Sequence, residues 1–315
     1  MTLKTRVNTL LGIEHPLIQG GMAWTATAEL SAAVSNAGGL GVIGAGHMPT
    51  DLLREQITAA KSLTSRPFGV NLMLLTPHID DIVQMVLDER VPMVTTGAGN
   101  PAKYMSALKD AGIKVIPIVP SVALAKRMES IGADAIIGEG MEAGGHIGEL
   151  TTMVLTPQLV DAVEIPVIAA GGIADGRGVA AAFALGAEGV QVGTRFMCAE
   201  ECTIHPAVKE QVLKAKDRDT VVTGRSTGHP VRVLKNRLAR QIQELDRENR
   251  AVEIEALGAG KLALAMRQGD VEMGSLMAGQ CASMVTRIEP AAAIVDEMMR
   301  DASAVMRALS EGARA

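Results

Sequence analysis

IPVIAAGGIADGRGVAAAFALGAEGVQVGTRF, residues 165–196, reads as a short β-branched run, a glycine turn, a small-residue helix, and a second run that ends on another glycine. Two such runs joined through a helix, with no hairpin signal between them, pair in parallel. The same unit recurs upstream. Apolar runs lie at 16–19, 41–43, 68–72, 92–96, 114–119 and 134–137, so with 166–170 and 189–192 there are eight. Helix-like stretches separate them at 26–36, 51–62, 79–89, 102–111, 121–131, 157–163 and 178–185. Eight parallel strands are the number that closes a barrel, and the expectation is a (β/α)8 barrel over 1–200; an open doubly wound sheet is the alternative.

The 315 residues exceed the roughly 250 that one barrel needs by a modest addition. Past residue 197 the chain becomes more charged, with no strand run apparent. Residues 201–270 are therefore expected to form a smaller helical cap, and 271–315 a return segment that packs on the barrel and ends in an amphipathic helix.

Composition excludes several classes. Apolar residues make up 48% and charged residues 21%, enough for a large core, and a net charge of −5 argues against a polyanion binder. Five aromatics in all (one Trp, one Tyr, three Phe) cannot furnish a stacking platform for single-stranded nucleic acid. Cys198, Cys202 and Cys281 form no C-x-x-C pair and read as free thiols of a reducing compartment. The stretch MTLKTRVNTLLGIEHP has no signal-peptide core, and no apolar run is long enough to span a bilayer; the expectation is a soluble cytoplasmic protein.

In such a barrel the chemistry sits at the carboxyl ends of the strands. The residues there are mostly glycine: Gly20-Gly21-Met22-Ala23, Gly97-Ala98-Gly99, Gly171-Gly172, Gly193-Thr194. The turns after the seventh and eighth runs commonly hold a phosphate on backbone N–H groups and a helix N-terminus; the plainer reading is that Gly171 and Gly172 only make a tight turn. EGMEAGGHIGEL (139–150) puts His146, a group that relays protons near neutrality, in a glycine-rich loop at the mouth, where a structural histidine is the bland alternative. Glu139 sits at a strand end; Glu142 reads equally well as a solvated loop charge and stays outside the expected site. Arg232, Lys235, Arg237 and Arg240 read as a solvated helix face, with a nicotinamide pyrophosphate or an acidic carrier protein as the sharper idea.

Other motifs are decoys. Gly39 to Gly44 matches G-x-G-x-x-G but contains its strand instead of following one. GAGK (258–261) is not a P-loop. No metal-ligand spacing and no G-x-S-x-G elbow occur.

IQGGMAW (18–24), SNAGGLGVIG (35–44), FGVNLMLL (68–75), TTGAGNP (95–101), EGMEAGGHIGELTTM (139–153), IPVIAAGGIADG (165–176), QVGTRF (191–196) and GDVEMGSLMAGQ (269–280) together resemble the flavin-dependent type II enoyl-acyl-carrier-protein reductases of bacteria. Many of the motifs are shared with the nitronate monooxygenases. The resemblance implies FMN across the barrel mouth, with its phosphate at Gly171, Gly172, Gly193 and Thr194. It implies Gly21, Met22 and Ala23 at the ring edge, Asn71, Glu139 and Gly145 beside the cofactor, Gln280 closing over it, and His146 as the catalytic histidine. It further implies NADH or NADPH as donor, an enoyl thioester on acyl carrier protein as acceptor, a homodimer, and a monovalent cation near Met273 to Met277. In the alternative, nitronate oxidation by O₂, His146 handles the proton of an alkyl nitronate. A phosphate-substrate isomerase or aldolase would need a strand-end Lys or acid pair, which is missing; a catalytically dead barrel acting as a binding module would leave His146 without a role in turnover.

Overall fold

The computed structural model describes residues 3–46 and 48–312. Its strands, in chain order, are β1 (Leu17–Gln19), β2 (Leu40–Gly44), β3 (Phe68–Met73), β4 (Met93–Gly97), β5 (Lys114–Val119), β6 (Ile136–Glu139), β7 (Gly145–His146), β8 (Val167–Ala170), β9 (Gly189–Val192), β10 (Thr220–Thr223) and β11 (Val231–Leu234). Strands β1 to β6, β8 and β9 form a closed parallel barrel, sealed where Leu17, Ile18 and Gln19 pair with Val190, Gln191 and Val192. These eight are the eight runs read from the sequence, so the closed barrel replaces the open sheet as the architecture.

Parallel strands covered by helices are buried on both faces, which is why they read as continuous apolar runs. Ile18, Val42, Met93, Ile116, Ile137 and Ile168 fill one cluster inside the barrel. Each such side chain contributes roughly 1.5–3 kcal/mol on burial. Helix Arg6–Leu11 lowers Val7 and Leu11 into that cluster and closes the end opposite the mouth. Its N-terminus is tied by the Thr5 hydroxyl, which donates to the Glu188 carbonyl at 2.6 Å, and by an Arg6–Glu188 ion pair.

The helix expected over 157–163 instead runs Thr152–Val160, with Pro157 inside it. A tertiary cap moves its start: the Glu142 carboxylate accepts from the Thr152 N–H at 2.9 Å and from the Thr152 hydroxyl at 3.0 Å. Glu142 is therefore a loop-to-helix tie and not a solvated charge.

The cap region also departs from expectation. It is not purely helical: β10 and β11 form an antiparallel hairpin, and β11 continues onto β7 to make a three-stranded sheet. Its turn is bracketed by Gly224 (φ 74°) and Gly228 (φ 77°), left-handed positions that glycine adopts without cost. VRVL (231–234), read as a helix face, thus holds Arg232 in a strand. Helices Arg237–Arg247, Ala251–Gly258 and Lys261–Gln268 follow, the first capped by the Asn236 side chain accepting from Ala239 N–H at 2.9 Å. The final helix, Ala291–Ser310, lies against helix Gly176–Ala184 so closely that a Cβ on Gly176 would stand 2.4 Å from the Ala302 nitrogen. Among the described residues no helix is long and apolar enough to cross a membrane.

Candidate active site

A cavity of about 630 Å³ opens at the carboxyl ends of the barrel strands, within the usual range for small-molecule sites. Gly21, Met22 and Ala23 line it after β1, Asn71 in β3, and Glu139 at the end of β6. Gly145 and His146 in β7, Gly171 and Gly172 after β8, and Gly193 and Thr194 after β9 complete the lining expected from sequence. Gln280 is the exception. Its side chain is exposed and outside the lining, while its neighbours Gly279 and Cys281 face the cavity. The segment crosses the mouth by main chain: Gly279 N–H donates to the Thr194 hydroxyl at 2.9 Å and Gln280 N–H to the Glu142 carbonyl at 2.8 Å.

One end of the cavity is an unpaired donor cradle. Among the described residues, the N–H groups of Gly171, Gly172, Gly193 and Thr194 have no acceptor. Gly171 and Gly172 have φ of 101° and 72°, and a Cβ on Gly171 would press on the Gly140 carbonyl at 2.8 Å. The helix Gly176–Ala184 does not assist as expected: the Asp175 carboxylate already accepts from the N–H groups of Arg177 and Gly178, at 2.9 and 3.1 Å. No Lys or Arg lines the cavity among the described residues. An anion held here rests on neutral loop amides.

The wall beside the cradle carries polar groups awaiting partners. Gln191 is buried, lines the cavity, and its Oε1 accepts no hydrogen bond. Buried polar atoms are rarely left so, and one that faces a cavity is suited to a ligand. Glu139 has no hydrogen-bond partner among the described residues, and burial pushes its carboxyl up to about 7 from an ordinary 4.5. Asn71 is held by its donation to the Thr95 hydroxyl at 2.8 Å, and it packs so near Gly21 that a Cβ there would fall 2.2 Å from its own Cβ. Glycines at 20 and 21 leave a flat floor. A phosphate on loop amides, a flat ring over glycine backbone, and acceptors and donors for a polyhydroxyl chain between them fit this constellation, and FMN has all three parts.

His146, on the same lining, is positioned from the cap. Its strand β7 pairs with β11, so the register partner of His146 is Val231 and that of Gly145 is Arg232. Arg232 is buried; its guanidinium donates through Nε to the Met141 carbonyl at 3.0 Å and through Nη1 to the Thr220 hydroxyl at 3.2 Å. The expected solvated role does not hold for it. His146 is exposed and lines the cavity together with Met277, His229 and Pro230. In the loop expected to take a cation, the carbonyls of Gly274 and Leu276 already accept from Asn236 Nδ2 and Leu234 N–H, both at 2.8 Å. Cys281, also on the lining, has its thiol raised to about 11 by burial, so it remains protonated.

Sequence reading missed Gln191 and the hairpin. The signal for the first was present: a lone amide in the otherwise apolar run GVQV, two residues before Gly193.

Residues 4–301 match the family model described as nitronate monooxygenase. The chain belongs to that family. It is accordingly an oxidoreductase of a family of flavin enzymes. Among solved structures, FabK from Thermotoga maritima is 52% identical, with 99% of this chain and 100% of that one covered and a TM-score of 0.97. The nitroalkane oxidase of Streptomyces ansochromogenes is 29% identical over 97% of this chain and 100% of that one, with a TM-score of 0.87. Among curated relatives, the (3aS,4S,5R,7aS)-5-hydroxy-7a-methyl-1-oxo-octahydro-1H-indene-4-carboxyl-CoA dehydrogenase of Mycobacterium tuberculosis is 42% identical over 246 residues, covering 77% of this chain and 69% of the relative. A probable nitronate monooxygenase of Staphylococcus saprophyticus is 36% identical, with 97% and 99% covered.

Proposed function

We propose that the protein is an FMN-dependent enoyl-acyl-carrier-protein reductase that draws electrons from NADH or NADPH. The observation that carries this reading is the make-up of one cavity: an unpaired amide cradle at Gly171, Gly172, Gly193 and Thr194, and His146 presented from β7 on the same lining. The likeness to FabK supports it.

Bound FMN supplies two-electron transfer between the nicotinamide and the alkene. The chain supplies binding, orientation and proton control. The loop amides take the phosphate. Gln191, Asn71 and Glu139 meet the polar chain and ring edge, and the glycine floor at Gly20 and Gly21 admits the ring. With its carboxyl pushed up to about 7 by burial, Glu139 retains a proton in a share of the molecules near neutral pH and then donates a hydrogen bond as well as accepting one. His146 hydrogen-bonds the thioester carbonyl, which makes the β-carbon more electrophilic and places a donor where enolate charge develops. The same imidazole, or water beside it, returns a proton to the α-carbon.

Size favours a thioester over a nitronate. Met73, Leu75, Ile118 and Met277 add apolar walls to the same cavity. A small alkyl nitronate leaves that space empty; an acyl chain fills it. The CoA-thioester name of the Mycobacterium tuberculosis relative points the same way.

The test is anaerobic. Purified yellow protein is bleached with NADH and then given crotonyl thioester. Return of the flavin absorbance, with NADH consumed in step with thioester, is the expected result. Turnover that requires O₂ and an alkyl nitronate, with no response to the thioester, would overturn the reading.

A further inference from the structure

A second cavity, of about 270 Å³, lies beside the first and shares Met266 with it. It is lined by Trp24, Arg267, Met48, Leu52, Gln56 and the pair Thr27–Thr203. The two cavities are separated by one turn of chain: Ala23 and Thr25 line the first and Trp24 the second.

Three features mark it as built. Trp24 is held at φ 59°, a left-handed conformation that is costly for a bulky residue and that collects at functional sites. The Arg267 guanidinium lies 5.3 Å from the centroid of its indole. Arg267 is exposed and forms no ion pair among the described residues, so a positive charge is stationed at the rim without a carboxylate. Gln56 spends its Oε1 on the Ala28 N–H at 2.8 Å, which leaves its NH₂ group without an acceptor among the described residues.

A flat aromatic against the indole, hydrogen-bonded by amide and hydroxyl groups, with phosphate at the guanidinium, describes the adenosine-diphosphate end of a cosubstrate. We propose that this cavity binds that end while the reacting end reaches into the main cavity past Met266. Nicotinamide dinucleotides and coenzyme A both carry it. The proposal rests on the reading that the protein uses one of them, and its test does not depend on turnover.

Trp24 is the only tryptophan of the chain and lines this cavity, so its fluorescence reports binding there. Flavin-loaded protein is titrated with ADP, and then with ADP-ribose against 3′-phospho-ADP. A saturable change in tryptophan emission is expected, weakened tenfold or more in Arg267→Gln with an unchanged melting temperature. Tighter binding of ADP-ribose assigns the site to the dinucleotide, tighter binding of 3′-phospho-ADP to coenzyme A. No saturable response, or equal affinity in R267Q, overturns the proposal and leaves the reductase reading standing.

Discussion

His146 and Val231 are register partners across the antiparallel pairing of β7 with β11, and the adjoining Ile147 N–H donates to the Pro230 carbonyl at 3.1 Å. The histidine of a barrel loop is thus fixed by a strand that enters the fold 85 residues later. A mobile loop would spread the imidazole over many positions; a ladder holds it where a reacting carbonyl arrives.

Replacing His146 by Ala removes the proposed proton donor without touching the amide cradle. Turnover of the enoyl thioester is expected to fall by about 10² to 10⁴. Bleaching of the flavin by NADH keeps its rate. Stopped-flow measurement of the two half-reactions separates them, and equal loss in both would show that the histidine only maintains the fold.

Arg232 ties the ribbon to the site loop through Met141 and Thr220. Arg232→Ala strands a carbonyl and opens a hole under β7, at a cost of about 2–4 kcal/mol. Thermal unfolding reads that loss. Arg232→Lys does not restore it, because an ammonium cannot reproduce the forked donation.

Glu139 has a folded-state pKa raised from 4.5 to about 7 by burial, so the flavin-free folded protein holds a proton that the unfolded chain releases first. Its contribution is fully present below about 4.5 and is lost as pH rises through 7, by at most about 3 kcal/mol. The apoprotein of Glu139→Gln is expected to show a smaller fall in melting temperature than wild type between pH 5 and 8. Parallel curves would remove Glu139 from the set of protonated groups.

Gly171 sits at φ 101° with the Gly140 carbonyl 2.8 Å from any added Cβ. Gly171→Ala therefore distorts the amide cradle, with a strain of about 1–3 kcal/mol. The purified variant is expected to lose FMN on gel filtration and to bind added FMN at least tenfold more weakly by fluorescence titration. Undiminished binding would move the phosphate elsewhere.

The eight barrel strands and the glycine turns after β8 and β9 were legible because each is a local event: a β-branched run, then a glycine, which at 171 and 172 takes positive φ. Glu142 was not, since only the fold brings its carboxylate to the Thr152 N–H. Gln280 was placed over the cavity by resemblance, but the segment crosses the mouth with its main chain and turns that side chain outward. The strands β10 and β11 escaped notice among charges, because four-residue runs gain their strand identity from partners and not from propensity.

By itself the sequence determined the parallel barrel, which end of it carries the chemistry, and the residue types gathered there, since periodicity and glycine sterics act over a few residues. Only the tertiary structure decided that Arg232 is buried, that Gln191 faces the cavity unpartnered, and that His146 is set by a ribbon. Those depend on pairings between distant segments, whose register is chosen by the closure of the whole fold.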